Sequence, residues 1–359
     1  MQATICLAAG MIAAEPAEAE VGRPDASRAT FTIDGRSFEA QLDWREPASP
    51  APGAALLLDT VKDDALAPFA PSRGMTVVRV DLDRLPAPAR VAVLRDLVRK
   101  LRAASGATRV IARGAGETGA ALAAAGDAFD GVLLQDAGAG ASKAPRSIRV
   151  WGSDAYWRAP AMSLDSENAK ERRFFLAGVA PAVAAMNCVA PINMRSAAPA
   201  LRALLVVLDD WTKGMKPPAS RVPGAADLID ARLLVWPRIP ELPTPPSAGT
   251  VPKIDADGNE TAGLRLPDQA LPIATFTGFN ASSDTKGAAC AAGAALPFPA
   301  TKADHEKAGD PRPSLMERYG SRAYFVATMR VVADKLVKER LLLKEDADAY
   351  VAAAKQAPF

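Results

Sequence analysis

Apolar and polar positions change rhythm along this chain, and the rhythm predicts strands alternating with helices. Residues 30–44 alternate on either side of Asp34-Gly35, the pattern of a β-hairpin. After a Pro/Ala linker at 47–53 come short apolar runs at 54–58 and 75–80, each suited to a strand covered on both faces. A short helical piece is expected around 63–70. Val91, Leu94, Val98 and Leu101 recur at helical spacing within 88–104. Further strands are predicted at 108–113, 131–134, 147–151 and 173–177, with a helix at 117–125 and a strongly apolar one at 198–211. This alternation indicates an α/β fold: a doubly wound, mainly parallel sheet with sites at the carboxyl ends of its strands.

From about residue 215 the texture changes. Many of the 30 prolines fall within 217–252, which predicts an irregular loop. Asp255-Ala-Asp257-Gly258 has the start of a calcium loop, but no bidentate glutamate stands at its twelfth position, so a hairpin turn on Asp257-Gly258 is expected instead. Ser314-Leu-Met-Glu317 is a capping box that opens a helix running on through Tyr324, Met329, Val332 and Leu336. A short last helix is expected at 345–355. The expected organisation is a signal or flexible N-terminus at 1–25, an α/β core at 28–215, and a Pro-rich, helical C-terminal extension at 216–359 packed on that core.

Composition narrows the classes of function. The 43 basic and 41 acidic residues are interspersed and leave a formal net charge of +2, so electrostatics give no case for nucleic acid or an anionic membrane. The longest uncharged run, Phe174 to Met194, contains Pro181, Asn187, Pro191 and Asn193. It reads as a buried strand followed by a loop rather than a membrane span. The run Ala3 to Ala14 has the length of an export-signal core but lacks a basic segment before it. Cys6, Cys188 and Cys290 are the 3 cysteines; none has metal-knuckle spacing, and 1 histidine, His305, cannot complete a zinc site. No cofactor or metal is expected. One disulfide with a cysteine left over is compatible with the count, and spacing alone does not decide it.

The most informative stretch is Arg109 to Leu122. A buried strand runs into Gly114-Ala-Gly116-Glu117-Thr118-Gly119 and then an Ala-rich helix, the layout of a G-x-S-x-G nucleophile elbow. Gly116 stands where the hydroxyl belongs. Thr118 is the replacement nucleophile the sequence offers, although it lacks a nearby histidine to act as base. Otherwise its hydroxyl caps or packs at the helix start. Glu117 is either a general base or a carboxylate favourably placed at a helix N-terminus. His305, among Lys302, Asp304, Glu306 and Lys307, reads as part of a solvated loop face. The glycines also fit G-x-G-x-x-G, but this strand lies well inside the sheet sequence rather than opening it.

Four segments together resemble a bacterial family of α/β-hydrolase-domain proteins. They are Asp257-Gly-Asn-Glu-Thr-Ala-Gly-Leu-Arg-Leu-Pro267, Leu271-Pro-Ile-Ala-Thr-Phe-Thr-Gly-Phe-Asn280, Gly309-Asp-Pro-Arg-Pro-Ser-Leu-Met-Glu-Arg-Tyr-Gly320, and Ala198 to Trp211 with the following Pro217-Pro218 and Ser220-Arg221. The match is specific over 198–355 and general over 54–197. The resemblance implies an α/β-hydrolase-like sheet and a serine elbow G-x-S-Q-[ST]-G, which aligns with Gly116 in the serine's place. It also implies a base histidine, which aligns with Pro181 in Ala177-Gly-Val-Ala-Pro181, and an acid near Ser153-Asp154, with Asp154 the best candidate. Two triad positions are thus altered. The expectation is a catalytically impaired or non-catalytic hydrolase relative. One alternative is an esterase with an unorthodox nucleophile such as Thr118; another is a module that binds a small apolar or ester-bearing ligand. The resemblance also implies a Cys188–Cys290 disulfide, with Cys6 free or removed with a signal. That bond favours a periplasmic or secreted location over a cytoplasmic one.

Overall fold

The computed structural model describes residues 4–7, 28–33, 36–49, 53–138, 140–158, 168–180, 187–245, 249–290 and 292–359. In chain order the first elements are β1 (Thr4–Leu7), β2 (Arg28–Ile33), β3 (Arg36–Arg45), β4 (Leu56–Asp59), β5 (Thr76–Val80), α1 (Ala87–Ser105), β6 (Val110–Ala115) and α2 (Gly116–Ala124). They continue with β7 (Gly131–Gln135), β8 (Ser147–Gly152), α3 (Asp154–Arg158), β9 (Glu171–Leu176) and α4 (Ala198–Thr212). The strands form one sheet in the order β1-β2-β3-β5-β4-β6-β7-β8-β9. β1 to β3 are joined antiparallel, and β3 pairs antiparallel with β5. β5, β4, β6 and β7 pair parallel in register. The expected hairpin is β2 with β3; its Asp34-Gly35 turn lies outside the described residues, as do Pro181 and nearly all of the N-terminal segment.

The chain divides into two compact units. The first comprises 1–149, 168–172 and 205–217; the second comprises 150–167, 173–204 and 218–359. In the first, the parallel strands are apolar on both faces, as their short unalternating runs predict. Leu56, Leu58, Val78, Val110, Ala112, Val132 and Leu134 are buried with Val93, Leu97 and Leu101 of α1 and Leu122 of α2. Leu57, Val77, Ile111 and Leu133, one residue out of phase, are buried as well. Each such side chain contributes roughly 1.5–3 kcal/mol by leaving water. The expected helical piece near 63–70 is instead a turn followed by one 3₁₀ turn, Ala70–Arg73, closed by Gly74.

The second unit adds β10 (Leu228–Asp230), β11 (Thr250–Pro252), α5 (Pro267–Ala270), β12 (Ala274–Thr277), β13 (Ala294–Pro297), α6 (Lys302–Ala308), α7 (Leu315–Tyr319), α8 (Arg322–Lys338) and α9 (Lys344–Ala354). β10 pairs with β11 and β12 with β13, both antiparallel. The turn at Asp257-Gly258 is a hairpin turn, with Gly258 at φ +84° between the bridged residues Ile254 and Glu260. The long helix expected from Ser314 is two helices. Ser314 and Glu317 form the capping box of α7, Gly320 ends it at φ +69°, and the Ser321 hydroxyl caps α8. Apolar periodicity continues across that break, so pattern alone missed it. His305 sits on α6 rather than in a loop.

Candidate functional site

β6 runs straight into α2 with no residue between them, and Gly116 makes the corner at φ +50°. That left-handed conformation is strained for any residue with a Cβ. The corner is tight because its flanking glycines let strand and helix touch. A Cβ on Gly119 would lie 2.9 Å from the Ala137 Cβ and 3.0 Å from the Gly114 carbonyl oxygen. One on Gly114 would run into the Leu122 side chain and come within 3.0 Å of the Thr60 hydroxyl. Close packing therefore accounts for glycine at both ends of the motif. Gly116 differs, since a Cβ there would meet nothing within 4 Å. The strand-to-helix corner leaves open space where a side chain on Gly116 would project.

That empty place opens into a cleft of about 480 Å³ lined by Thr60, Val61, Lys62, Asp83, Arg90 and residues 115–118. The buried Thr118 donates its hydroxyl to Asp83 at 3.3 Å. The Lys62 ammonium lies 3.0 Å from Asp81 and 3.2 Å from Asp83. Hydrogen bonds to these two carboxylates push its pKa up, which disfavours Lys62 as a general base. Glu117 is exposed and pairs with Arg90 at 3.2 Å. In elbows of this kind a second oxyanion donor comes from a loop on a neighbouring strand. Here the loop after β4 turns the Val61 N–H onto the Asp59 carboxylate at 3.1 Å. Beneath it the fully buried Arg113, just before the elbow, donates to Asp63 at 2.6 and 2.7 Å and to Gln135 at 2.5 Å. Burial pushes the Asp59 carboxyl up against the pull of Arg113. For Asp63 burial acts the same way, but hydrogen bonds and charge from Arg113 outweigh it and hold that carboxyl low. The cleft is polar and its charges balance.

The other predicted positions belong to the second unit. Asp154 is fully buried and opens α3 directly after β8. It is packed so closely that a Cβ on Gly278 would strike the Ser153-Asp154 backbone. Pro181 lies outside the described residues, but the turn leading to it, 177–180, is described. Gly178 is at φ +63° there, and its peptide is gripped from both sides. Its N–H donates to Glu260 at 2.5 Å, and its carbonyl accepts from Asn193 at 2.8 Å and Arg195 at 2.9 Å. Arg195 is itself paired with Asp268 and lies over the Phe276 ring at 4.7 Å. Ser153 joins the same region: its N–H donates to the Val179 carbonyl at 2.6 Å and its hydroxyl to Glu260. The structure thus brings the turn after β8 to the turn after β9, and in the first unit it brings Gly116, Glu117 and Thr118 to one cleft.

The motif residues behind the family resemblance turn out to form a buried polar frame. Asp257 pairs with Arg318, and Asn259 accepts the Phe276 N–H at 2.8 Å. Arg312 reaches Thr275 at 2.9 Å and the Leu296 carbonyl at 2.8 Å, tying down the β12–β13 hairpin. Asn280 donates to the Ala190 and Gly293 carbonyls at 2.9 and 2.8 Å. Cys188 and Cys290 form a disulfide with a Cα separation of 5.7 Å. His305 is committed to Glu317 at 3.1 Å. The Ser314 hydroxyl and N–H, with His305, hold the Glu317 carboxyl at about 2. Sequence reasoning missed Glu260, Asn193 and Arg195. The only available signal for Glu260 was its place in the Asp257-Gly-Asn-Glu segment. Among the described residues no cluster of ligands suits a metal ion, and no helix is long and apolar enough to cross a membrane.

Residues 153–352 match the model of a family described as alpha/beta hydrolase domain. The chain belongs to this family. The matched stretch begins at Ser153, and the elbow precedes it. Similar solved structures include XC6422 from Xanthomonas campestris, described as an a/b serine hydrolase without a lid. It is 13% identical, with 43% of this chain and 85% of that chain covered at a TM-score of 0.31. Est1E from Butyrivibrio proteoclasticus is 12% identical over 42% and 88% of the two chains, with a TM-score of 0.30. An alpha-beta serine hydrolase homologue from Coxiella burnetii is 11% identical over 38% and 82%, also at 0.30. These scores carry no functional argument. No curated protein matches the chain.

Proposed function

We propose that this α/β-hydrolase-domain protein lacks ester-hydrolase chemistry at its elbow and keeps the cleft there to bind a small ligand. The observation that supports this is Gly116, left-handed, with open space in place of the nucleophile's side chain. A Ser-His-acid relay needs its nucleophile and base within hydrogen-bond reach, and losing a member costs several orders of magnitude in rate. The charged walls of the cleft favour a polar or ester-bearing ligand over a wholly apolar one. Raised thermal stability with a bound candidate ester, without product release, is the expected result.

A second reading is an esterase that uses Thr118, favoured by the 3.3 Å contact between its hydroxyl and Asp83. Under it, Thr118→Ala abolishes turnover of p-nitrophenyl acetate while circular dichroism stays unchanged. Under the first reading wild type and variant are equally inactive. The Cys188–Cys290 disulfide favours an oxidising compartment, periplasmic or extracellular. Thiol alkylation of freshly lysed cells tests this, with both cysteines expected to be protected until reduction.

A further inference from the structure

Arg90 is the buried cation of the elbow cleft. It sits in the first turn of α1, its side chain is only 8% exposed, and it lines the cleft together with Gly116, Glu117 and Thr118. Two backbone carbonyls fix its guanidinium: Nε donates to Leu85 at 3.1 Å and Nη2 to Asp83 at 3.2 Å. Nη1 donates to Glu117 at 3.2 Å, through a single contact rather than a fork. A buried guanidinium needs an anion beside it. Here that anion is the carboxylate of a side chain 81% exposed in the first turn of α2. An ion pair with one member in water is weak and readily exchanged. Among the described residues lining the cleft, the other cation is Lys62, and it is committed to Asp81 and Asp83. No side chain caps the start of α2, so its first-turn N–H groups add donors to the same lining. Asp83, held by Lys62 and Thr118, opposes the entry of more than one negative charge.

Resting on the reading of this cleft as a ligand site, we propose that its ligand is a small monocarboxylate bound by Arg90, and that Glu117 is an internal stand-in which the ligand displaces. Glu117 already presents to Nη1 the group that such a ligand brings. As the ligand's carboxylate takes that N–H, the Glu117 carboxylate turns out into water, where salt screens its charge. The buried guanidinium is paired before and after the exchange, so neither state pays for an isolated buried charge. The first carbons of the ligand lie beside Gly116, where a Cβ would meet nothing within 4 Å. One exchangeable cation facing Asp83 favours a single negative charge over two, so a carboxylate is preferred to a phosphate dianion.

The test is an NMR titration of the ¹⁵N-labelled full chain, read at the amides of residues 116–118, with butyrate, methyl butyrate and inorganic phosphate as probes. Butyrate is expected to shift these amides, and Glu117→Gln, which takes the competing carboxylate away, to lower its Kd by about fivefold. Arg90→Met is expected to raise that Kd by roughly tenfold or more. Should this buried substitution fail to fold, Glu117→Gln, at an exposed position, carries the test alone. Neither change is expected to alter binding of the methyl ester, which brings no charge to Arg90. Three results overturn the proposal and leave the ligand cleft standing: ester bound without butyrate, a butyrate Kd indifferent to Glu117→Gln, or phosphate bound more tightly than butyrate. If no probe binds, the ligand cleft falls and this proposal with it.

Discussion

At Gly116 the backbone turns left-handed because glycines on either side let a strand and a helix touch, whereas at Gly178 it does so in the grip of three buried polar side chains. The two corners fail differently. A corner held by packing keeps its shape when its central side chain is removed, since that side chain projected into open space and supported nothing. A corner held by hydrogen bonds depends on each partner, because every one removed leaves a buried group unpaired. A side chain at the centre of the first corner is therefore structurally dispensable, and Glu260, Asn193 and Arg195 are not.

The largest effect is expected on the gripped side. Asn193→Ala leaves the Arg195 N–H without its acceptor and removes one of the two donors to the Gly178 carbonyl, and a loss of about 3–4 kcal/mol is expected, read from urea denaturation. A loss below about 1 kcal/mol would erase the distinction between the two corners. Next comes reduction of Cys188–Cys290, whose ends are 102 residues apart in sequence. It is expected to cost roughly 2–4 kcal/mol, seen as a lower thermal midpoint with reductant present.

The sequence made most of the first corner readable and little of the second. Strand β6, the glycine turn and α2 are local, and short apolar runs beside glycines carry their own signature, so the corner and the glycine at its centre could be placed from Arg109 to Leu122 alone. The grip on Gly178 draws on Glu260, Asn193 and Arg195, which lie 15 to 82 residues away. No periodicity connects such partners, and a buried glutamate looks like any other glutamate in a string of letters. The α7–α8 break was missed for a related reason: Gly320 and Ser321 interrupt the backbone while the apolar spacing continues.

The elbow's own two glycines sharpen the comparison within one motif. Gly119→Ala, with its Cβ pressed against Ala137 and the Gly114 carbonyl, is expected to cost about 2–3 kcal/mol. Gly116→Ala adds the same atom to open space and is expected to cost only about 1 kcal/mol, from backbone strain at positive φ. The reverse order in chemical denaturation would mean that the corner is not held by packing.

The central claim is that the elbow has kept its shape without a nucleophile, and covalent labelling by a fluorophosphonate tests it most directly. Incubation of the folded protein followed by peptide mapping is expected to find no adduct anywhere on the chain, and no p-nitrophenyl acetate turnover above the buffer rate. An adduct on Thr118, or on any serine, accompanied by turnover that the same reagent abolishes, would contradict the account.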